Sequence, residues 1–344
     1  MAVRRLLESS VEKHLQADRG IKVGVFLSGG LDSSVIAALA SRLRPDIVVF
    51  TIGATDSTDV SAARRVAKHL RIRLVECHLN LESAYERLPE AVRVTESYNA
   101  ATVLEGLLTM MLAEAAAAED VKVILSGEGA DEIFAGYGFL RDLDSSELLQ
   151  ARQTLLANIG STECKRLDRA TMAYSVEARV PFLDPTLVNW AMGLLTSSLV
   201  RHTGERKMEK WILRKACSDL LPEDIVWRMK LAYDTGSGIL GLLTRMVSEV
   251  DEVDLESARC RYPQAGLSDK LSLCLFREWQ GIYGNCGGTH MHSMFAAYPL
   301  MDPFLTYDAY QHGGTGESDS ELALLHHDMR IRTDCRTPTL SVRR

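Results

Sequence analysis

The sequence predicts an α/β fold: a twisted parallel sheet flanked by helices, followed by a mainly helical C-terminal part. Three observations carry this. Short, apolar, β-branched runs at 22–27, 47–52, 72–78 and 121–126 alternate with helix-like stretches, the pattern of a parallel sheet with crossover helices. Two of those runs empty into Ser-Gly turns followed by a helical pattern. From about Arg141 onward the strand signals fade and helical periods dominate.

Taken in order, residues 1–20 read as a packing helix, with Val3, Leu6, Leu7, Val11 and Leu15 at helical spacing. The segment 21–140 is the α/β core. Its first strand delivers Val23, Val25 and Leu27 to Ser28, and Gly29 and Gly30 permit positive φ and close approach of a ligand. A helix through Val35, Ile36 and Leu39 follows, with Asp32, Ser33 or Ser34 able to cap it. "DVSAARRVAKHL" and "VLEGLLTMMLAEAAAAE" read as further helices, Met110 and Met111 filling the core of the second. Residues 141–311 form the helical part, including "DPTLVNWAMGLL" and "MEKWILRKACSDLL". Residues 312–344 are polar and irregular, and a mobile tail is expected there.

The chain has 344 residues, 46% hydrophobic, with a formal net charge of −7. That size supports a sizeable core. The acidic balance argues against a nucleic-acid partner. "MAVRRLLESSVEKHLQ" has no apolar signal region, and no uninterrupted apolar run approaches membrane length, so neither membrane nor secretion is expected. The seven cysteines are scattered without a C-x-x-C pair, as suits reduced thiols in the cytoplasm. Cys286, His290 and His292 in "CGGTHMH" could ligate a metal, but no second half-site is visible, and a Gly-rich surface loop is the simpler account of them.

The turn "LSGGLDSS", 27–34, aims backbone N–H groups and a helix N-terminus at one point, which suits an anion. Neither the Walker pattern nor G-x-G-x-x-G is present. The string instead resembles the pyrophosphate loop of enzymes that split ATP between the α and β phosphates. A second turn, in "VKVILSGEGADEIFAGY", carries Ser126, Gly127, Glu128, Asp131 and Glu132. Two strand ends of a parallel sheet can converge on one nucleotide, and Asp32 and Asp131 would then offer hard oxygen ligands to Mg²⁺.

These motifs, with "RLDRATMAYSVEARVPFLD" and "EKWILRKACSDLLPEDIVWRMK" in the same order, resemble the synthetase half of the asparagine synthetase family. The likeness runs from about Val3 to the Gly-rich stretch near 243. It implies an adenine nucleotide α-hydrolase-like fold and an enzyme that activates a carboxylate with ATP and transfers ammonia or a small amine to the acyl-adenylate. By the same resemblance, Ser28, Gly29, Gly30, Ser33 and Ser34 hold pyrophosphate, and Leu27, Ile52, Ser126 and Gly127 contact adenosine. Lys210 and Lys230 neutralise charge at the reacting centre, and Glu128 serves as a base toward the attacking amine. Alone, those lysines would read as exposed residues of an amphipathic helix. Glu177 and Asp184 fall in the substrate-side motif, and either can instead be a structural partner of Arg179 or Arg169.

Two departures from the family pattern stand out. No Cys follows Met1, so the nitrogen is expected from free ammonia, a separate glutaminase partner or another amine. The family's "TT[V/I]RAS" stretch reads "ATVLEG" at 101–106, with Ala101 and Leu104 where Thr and Arg are associated with aspartate. Leu104 cannot pair with a carboxylate, and Glu105 would repel one if it faces the site. The acceptor is therefore expected to be a small-molecule carboxylate other than aspartate. An ammonia-dependent asparagine synthetase is the alternative, with Arg93 or Arg179 taking over the lost role. A pyrophosphatase acting on tRNA is the alternative of another class, opposed by the acidic charge and the missing C-x-x-C. A homodimer is allowed for.

Overall fold

Five parallel strands lie side by side at the centre of the computed structural model, in the order β3-β2-β1-β4-β5. The structure describes residues 2–203, 206–229, 250–263 and 265–284, with scattered positions between 236 and 248. The strands are β1 Lys22–Phe26, β2 Val48–Gly53, β3 Arg73–His78, β4 Val121–Leu125 and β5 Glu177–Arg179. Four of them coincide with the predicted runs to within a residue or two. The fifth is a three-residue edge strand inside "SVEARV", too short and too charged to show the β-branched signature.

Between the strands run α2 (Leu31–Leu43), α3 (Thr58–Leu70) and α6 (Ala100–Ala118), preceded by α1 (Ala2–His14) and accompanied by the short α4 (Leu81–Glu86) and α5 (Leu88–Thr95). Local chemistry sets their starts. Ser57 accepts a hydrogen bond from the Val60 N–H at the head of α3, and Asn99 accepts one from Thr102 at the head of α6. Arg71, left-handed at φ 57°, ends α3. Two apolar cores result, one on each side of the sheet: α1, α2 and α3 bury Val3, Leu7, Val35, Ile36 and Val66, while α5 and α6 bury Val92, Leu107 and Leu108.

Two helices bear on the sequence expectations: α6, whose apolar run Glu105 and Glu114 interrupt, and α2, whose expected cap needs correction. Helix α6, 19 residues long, is apolar enough by length and composition to cross a membrane. Its apolar side chains, Val103, Leu104, Leu107, Leu108 and Met110 among them, are instead buried in the core of this fold. The second concerns α2, which begins at Leu31 with Gly30 as its N-cap and no side-chain cap. Ser33, a candidate cap, turns its hydroxyl back into the preceding loop.

Beyond β4 come α7 (Ala130–Phe134), α8 (Ser145–Asn158), α9 (Glu163–Met172), α10 (Pro185–Met192), α11 (Thr196–Leu199), α12 (Trp211–Cys217) and α13 (Glu223–Val226), then helices at Glu252–Arg261 and Lys270–Tyr283. An antiparallel hairpin, Arg201–Thr203 with Arg206–Met208, interrupts this series. The helical period read from Met208 starts only at Trp211, because Lys210 is left-handed at φ 54° and Glu209 is wholly buried. The tail at 312–344, expected to be mobile, lies outside the described residues.

Candidate active site

The sheet order reverses at β1 and β4: β2 and β3 extend to one side, β4 and β5 to the other. Parallel sheets hold ligands beyond the carboxyl ends of the strands at such a switch point. Val25 is in register with Leu125, so the Ser28 and Ser126 turns emerge side by side. A Cβ on Gly127 would stand 3.0 Å from the Ser33 nitrogen and 3.2 Å from the Asp32 Cβ. Any larger residue would have to push the two turns apart by a few tenths of an ångström.

Within the first turn the hydroxyls organise the loop. Ser28 N–H donates to Ser33 Oγ at 3.2 Å, the two hydroxyls lie 3.0 Å apart, and Gly30 N–H donates to Ser28 Oγ at 3.3 Å. With Ser33 engaged in this way, no side chain caps α2, and its N-terminal amides carry the positive end of the helix dipole. Ser34 is fully buried and its Oγ has no hydrogen-bond partner among the described residues. Leu27 and Ile52 are buried beside the loop, as is Ser126, whose N–H donates to the Arg179 carbonyl at 2.9 Å.

Lys210 connects the turns. Its side chain is 2% exposed, and Nζ lies 2.6 Å from Asp131 Oδ1 while also pairing with Asp32. Gly136 packs so closely against Asp131 and Lys210 that a Cβ there would overlap both. One small cation, the ammonium, is thus held by carboxylates from two different motifs. That donor set fits Mg²⁺, which takes one or two carboxylates and fills its remaining positions with water and phosphate oxygens. Among the described residues no cluster of three or more acidic, His or Cys ligands could hold a metal alone.

Glu128 lies one step further along the second turn, with Oε1 3.1 Å from Arg166 Nη2. The Arg166 guanidinium also pairs with Glu163, 2.6 Å away, and with Glu105. Carboxylates therefore crowd this end of the site. Burial and then the charges of Glu128, Glu132 and Glu163 push the Cys164 thiol up to about 12. Burial, followed by Glu132, Glu163 and Asp131, raises the Tyr137 hydroxyl well above its ordinary value. Arg166 escaped the reading of the sequence. Its helical spacing looks like that of any exposed arginine, and only its carboxylate partners mark it.

The remaining candidates are placed elsewhere. Leu104 is 2% exposed and belongs to the apolar core on the α6 side, and Ala101 is half-buried in the first turn of α6. Glu177 pairs with Arg179 at 2.8 Å, and Arg179 donates to the His14 and Gln16 carbonyls. Asp184 caps α10 and pairs with Lys13 at 2.9 Å. Against the burial that would raise it, Lys13 and the Thr186 N–H hold the Asp184 carboxyl below its ordinary range. Both acids therefore fasten the N-terminal helix rather than join the Asp32–Asp131–Lys210 cluster. Arg93 is largely exposed beside Glu90. Lys230, Cys286, His290 and His292 lie outside the described residues.

Another arginine holds the loop from its outer side. Arg228 donates from Nη1 to the Gly29 carbonyl at 3.2 Å, and from Nη2 to Asp59 Oδ1 at 2.8 Å and Thr58 Oγ1 at 3.2 Å. Burial pushes the Asp59 carboxyl up to about 6, with Arg228 pulling the other way. A raised value means that the folded chain binds this proton more tightly than the unfolded chain does. The stability so gained is complete below about pH 4 and is lost as the pH rises through about 6. Asp59→Asn should therefore gain on the wild type between pH 4 and pH 7, by up to roughly 3 kcal/mol. Urea unfolding of both proteins across that range checks this, and a difference that is flat with pH would refute it.

The model of the asparagine synthase family matches residues 2–158 and 142–273. A probable glutamine-hydrolysing asparagine synthetase of Dictyostelium discoideum is 32% identical over 308 residues, covering 82% of this chain and 55% of that protein. Asparagine synthetase B of Escherichia coli is 32% identical over 294 residues, covering 80% and 52%. The chain thus spans about half the length of these relatives. Among solved structures, an NH₃-dependent NAD synthetase from Campylobacter jejuni aligns over 85% of this chain at 12% identity and a TM-score of 0.36. A U34-tRNA thiolase from Methanococcus maripaludis aligns over 86% at 13% identity and 0.37. Both are too distant to bear on chemistry. The family match, by contrast, takes in the two Ser-Gly turns, Arg166, Lys210 and Arg228, and the chain belongs to the asparagine synthase family.

Proposed function

We propose that the chain is an ATP-dependent amide synthetase that adenylates a small-molecule carboxylate, releases pyrophosphate, and transfers ammonia or a small amine to the acyl group. The observation that carries this reading is the meeting of Asp32, Asp131 and Lys210. Two carboxylates and an ammonium from three separated segments converge where the two Ser-Gly turns touch. Fixed charge of this kind, set opposite charge that develops as pyrophosphate leaves, is how such transfers are accelerated.

The amides of the 28–34 turn and the open N-terminus of α2 bind the phosphates. Ser126 and Gly127 flank the nucleoside beside Leu27 and Ile52. Asp32 and Asp131 would hold Mg²⁺, which neutralises the phosphate oxygens when bound. Lys210, released from part of its carboxylate pairing, then faces the leaving group. Lys230 is proposed as the second cation on the strength of the family motif. Glu128 accepts a proton from the attacking amine, and Arg166 fixes the orientation of its carboxylate. A separate glutaminase, a homodimeric assembly and a cytoplasmic location belong to the same proposal.

The acceptor end carries Leu104 turned into the core and Glu105 on Arg166, so the family's arginine for a second carboxylate is not replaced at its own position. We therefore propose an acceptor other than aspartate. One observation favours ammonia-dependent asparagine synthesis as the second reading: the Arg166 guanidinium sits beside Glu128 and could be drawn from Glu105 to a substrate carboxylate. ATP–pyrophosphate exchange across a panel of carboxylic acids, with ammonium as the nitrogen source, separates them. The expected result is strong exchange with some other acid, and with aspartate a loss of more than tenfold in affinity, the cost of a missing charge-assisted contact. Aspartate-dependent exchange with a sub-millimolar KM would establish the second reading instead.

A further inference from the structure

The pyrophosphate loop rests on a chain of two arginines that links it to Lys210 through the back of the site. Gly29, at φ 78°, has no room for a Cβ: one there would meet the Asp59 carbonyl at 2.8 Å and the Ala63 nitrogen at 2.6 Å. The loop is thus pressed flat against the first turn of α3. Its Gly29 carbonyl points to Arg228, and the same guanidinium takes Thr58 and Asp59 of that turn. Arg228 is in turn fixed through its own backbone. Its carbonyl accepts from Arg214 Nη1 at 2.9 Å, as does that of Val226 at 2.6 Å. Arg214 also donates from Nε to the Glu209 carbonyl at 2.9 Å and from Nη2 to the Glu209 carboxylate at 2.8 Å. Glu209 immediately precedes Lys210.

We propose that Arg228 is a positioning residue that sets the pyrophosphate loop for MgATP and, through Arg214 and Glu209, ties the loop's conformation to the placement of Lys210. The proposal rests on the reading of 28–34 as a phosphate site. A loop whose glycine must hold a positive φ against a packed helix gains order from a donor on its carbonyl. Arg suits the task because its planar fork reaches three acceptors on two elements, which an ammonium on a flexible stem does not. Asp59, 7% exposed, supplies the buried counter-charge that keeps the guanidinium in place.

The test uses the full chain with Arg228→Gln, Arg228→Lys and Asp59→Asn, reading MgATP binding by calorimetry and the thermal midpoint. Arg228→Gln should weaken MgATP binding by about tenfold or more, the scale of one lost charge-assisted bond. Arg228→Lys should restore part of the loss. Asp59→Asn added to Arg228→Gln should cost less than the sum of the two singles, since they share one contact. Wild-type MgATP affinity in Arg228→Gln, whatever its thermal midpoint, would reduce Arg228 to a structural contact and overturn the inference. Absence of MgATP binding by the wild type would instead remove the reading of the loop, and the inference with it.

Discussion

Asp32→Asn and Asp131→Asn should each lower ATP–pyrophosphate exchange by on the order of 10²–10³, the usual cost of removing one preorganised electrostatic contact. The substitutions are nearly isosteric, so the packing of the two Ser-Gly turns is kept. What changes is charge. The pair holds a single ammonium, that of Lys210, and both carboxylates are needed when MgATP brings in a divalent cation together with several phosphate oxygens. With one of them neutral, Lys210 has a single carboxylate to leave, and the metal has a single carboxylate to bind. The two variants should therefore resemble each other and fail to add when combined, because both act on the same ion. Circular dichroism and the thermal midpoint separate this from unfolding. Exchange within a few-fold of wild type in either variant would show that the cluster is not where the phosphates are cleaved.

How far this site was legible in the sequence follows from what each residue needs around it. The turn at 28–34 announces itself because glycines, hydroxyls and an acid follow a β-branched strand, and those types have few other reasons to stand together. Asp131 gained meaning from the second Ser-Gly turn, and Lys210 only from the family motif. The arginines were invisible. Arg152, Arg166 and Arg214 are 1%, 6% and 1% exposed, yet along a helical stretch an arginine that donates to buried carbonyls has the same spacing as one in water. Arg152, for instance, donates to the Ile133 and Ala191 carbonyls at 2.6 and 2.8 Å. Those acceptors are set by tertiary packing, which periodicity does not encode. The same holds for the Arg201–Met208 hairpin: a few polar residues pair because their neighbours bring them together, not because of intrinsic propensity. For Glu177 and Asp184 the sequence left two readings open, a chemical one and a structural one. Acids in a functional motif invite a chemical role, but here each has a nearer cation, Arg179 or Lys13, on the surface that fastens α1.

Arg214→Met should destabilise the fold by roughly 3–5 kcal/mol, the range for breaking a buried pair by deleting one partner. Methionine fills much of the volume, so the loss comes from polarity rather than from a cavity. Three acceptors would be stranded in the interior, the carbonyls of Glu209, Val226 and Arg228, together with a carboxylate that is 0% exposed. Each buried acceptor left without a donor costs on the order of 1–3 kcal/mol when nothing replaces it. Arg141, 3.2 Å from Glu209 Oε2 and 22% exposed, can take up part of the abandoned charge, which keeps the total near the lower sum. The charge component can be isolated. Glu209→Gln in the Arg214→Met background removes the uncompensated carboxylate and should return a substantial part of the loss, whereas Glu209→Gln alone should be destabilising. Urea unfolding of the four proteins closes the cycle, and its coupling energy should be favourable by more than about 1 kcal/mol. Additive effects of the two substitutions, or a single Arg214→Met within about 0.5 kcal/mol of wild type, would mean that this guanidinium is not what holds the segment carrying Lys210 against the one carrying Arg228.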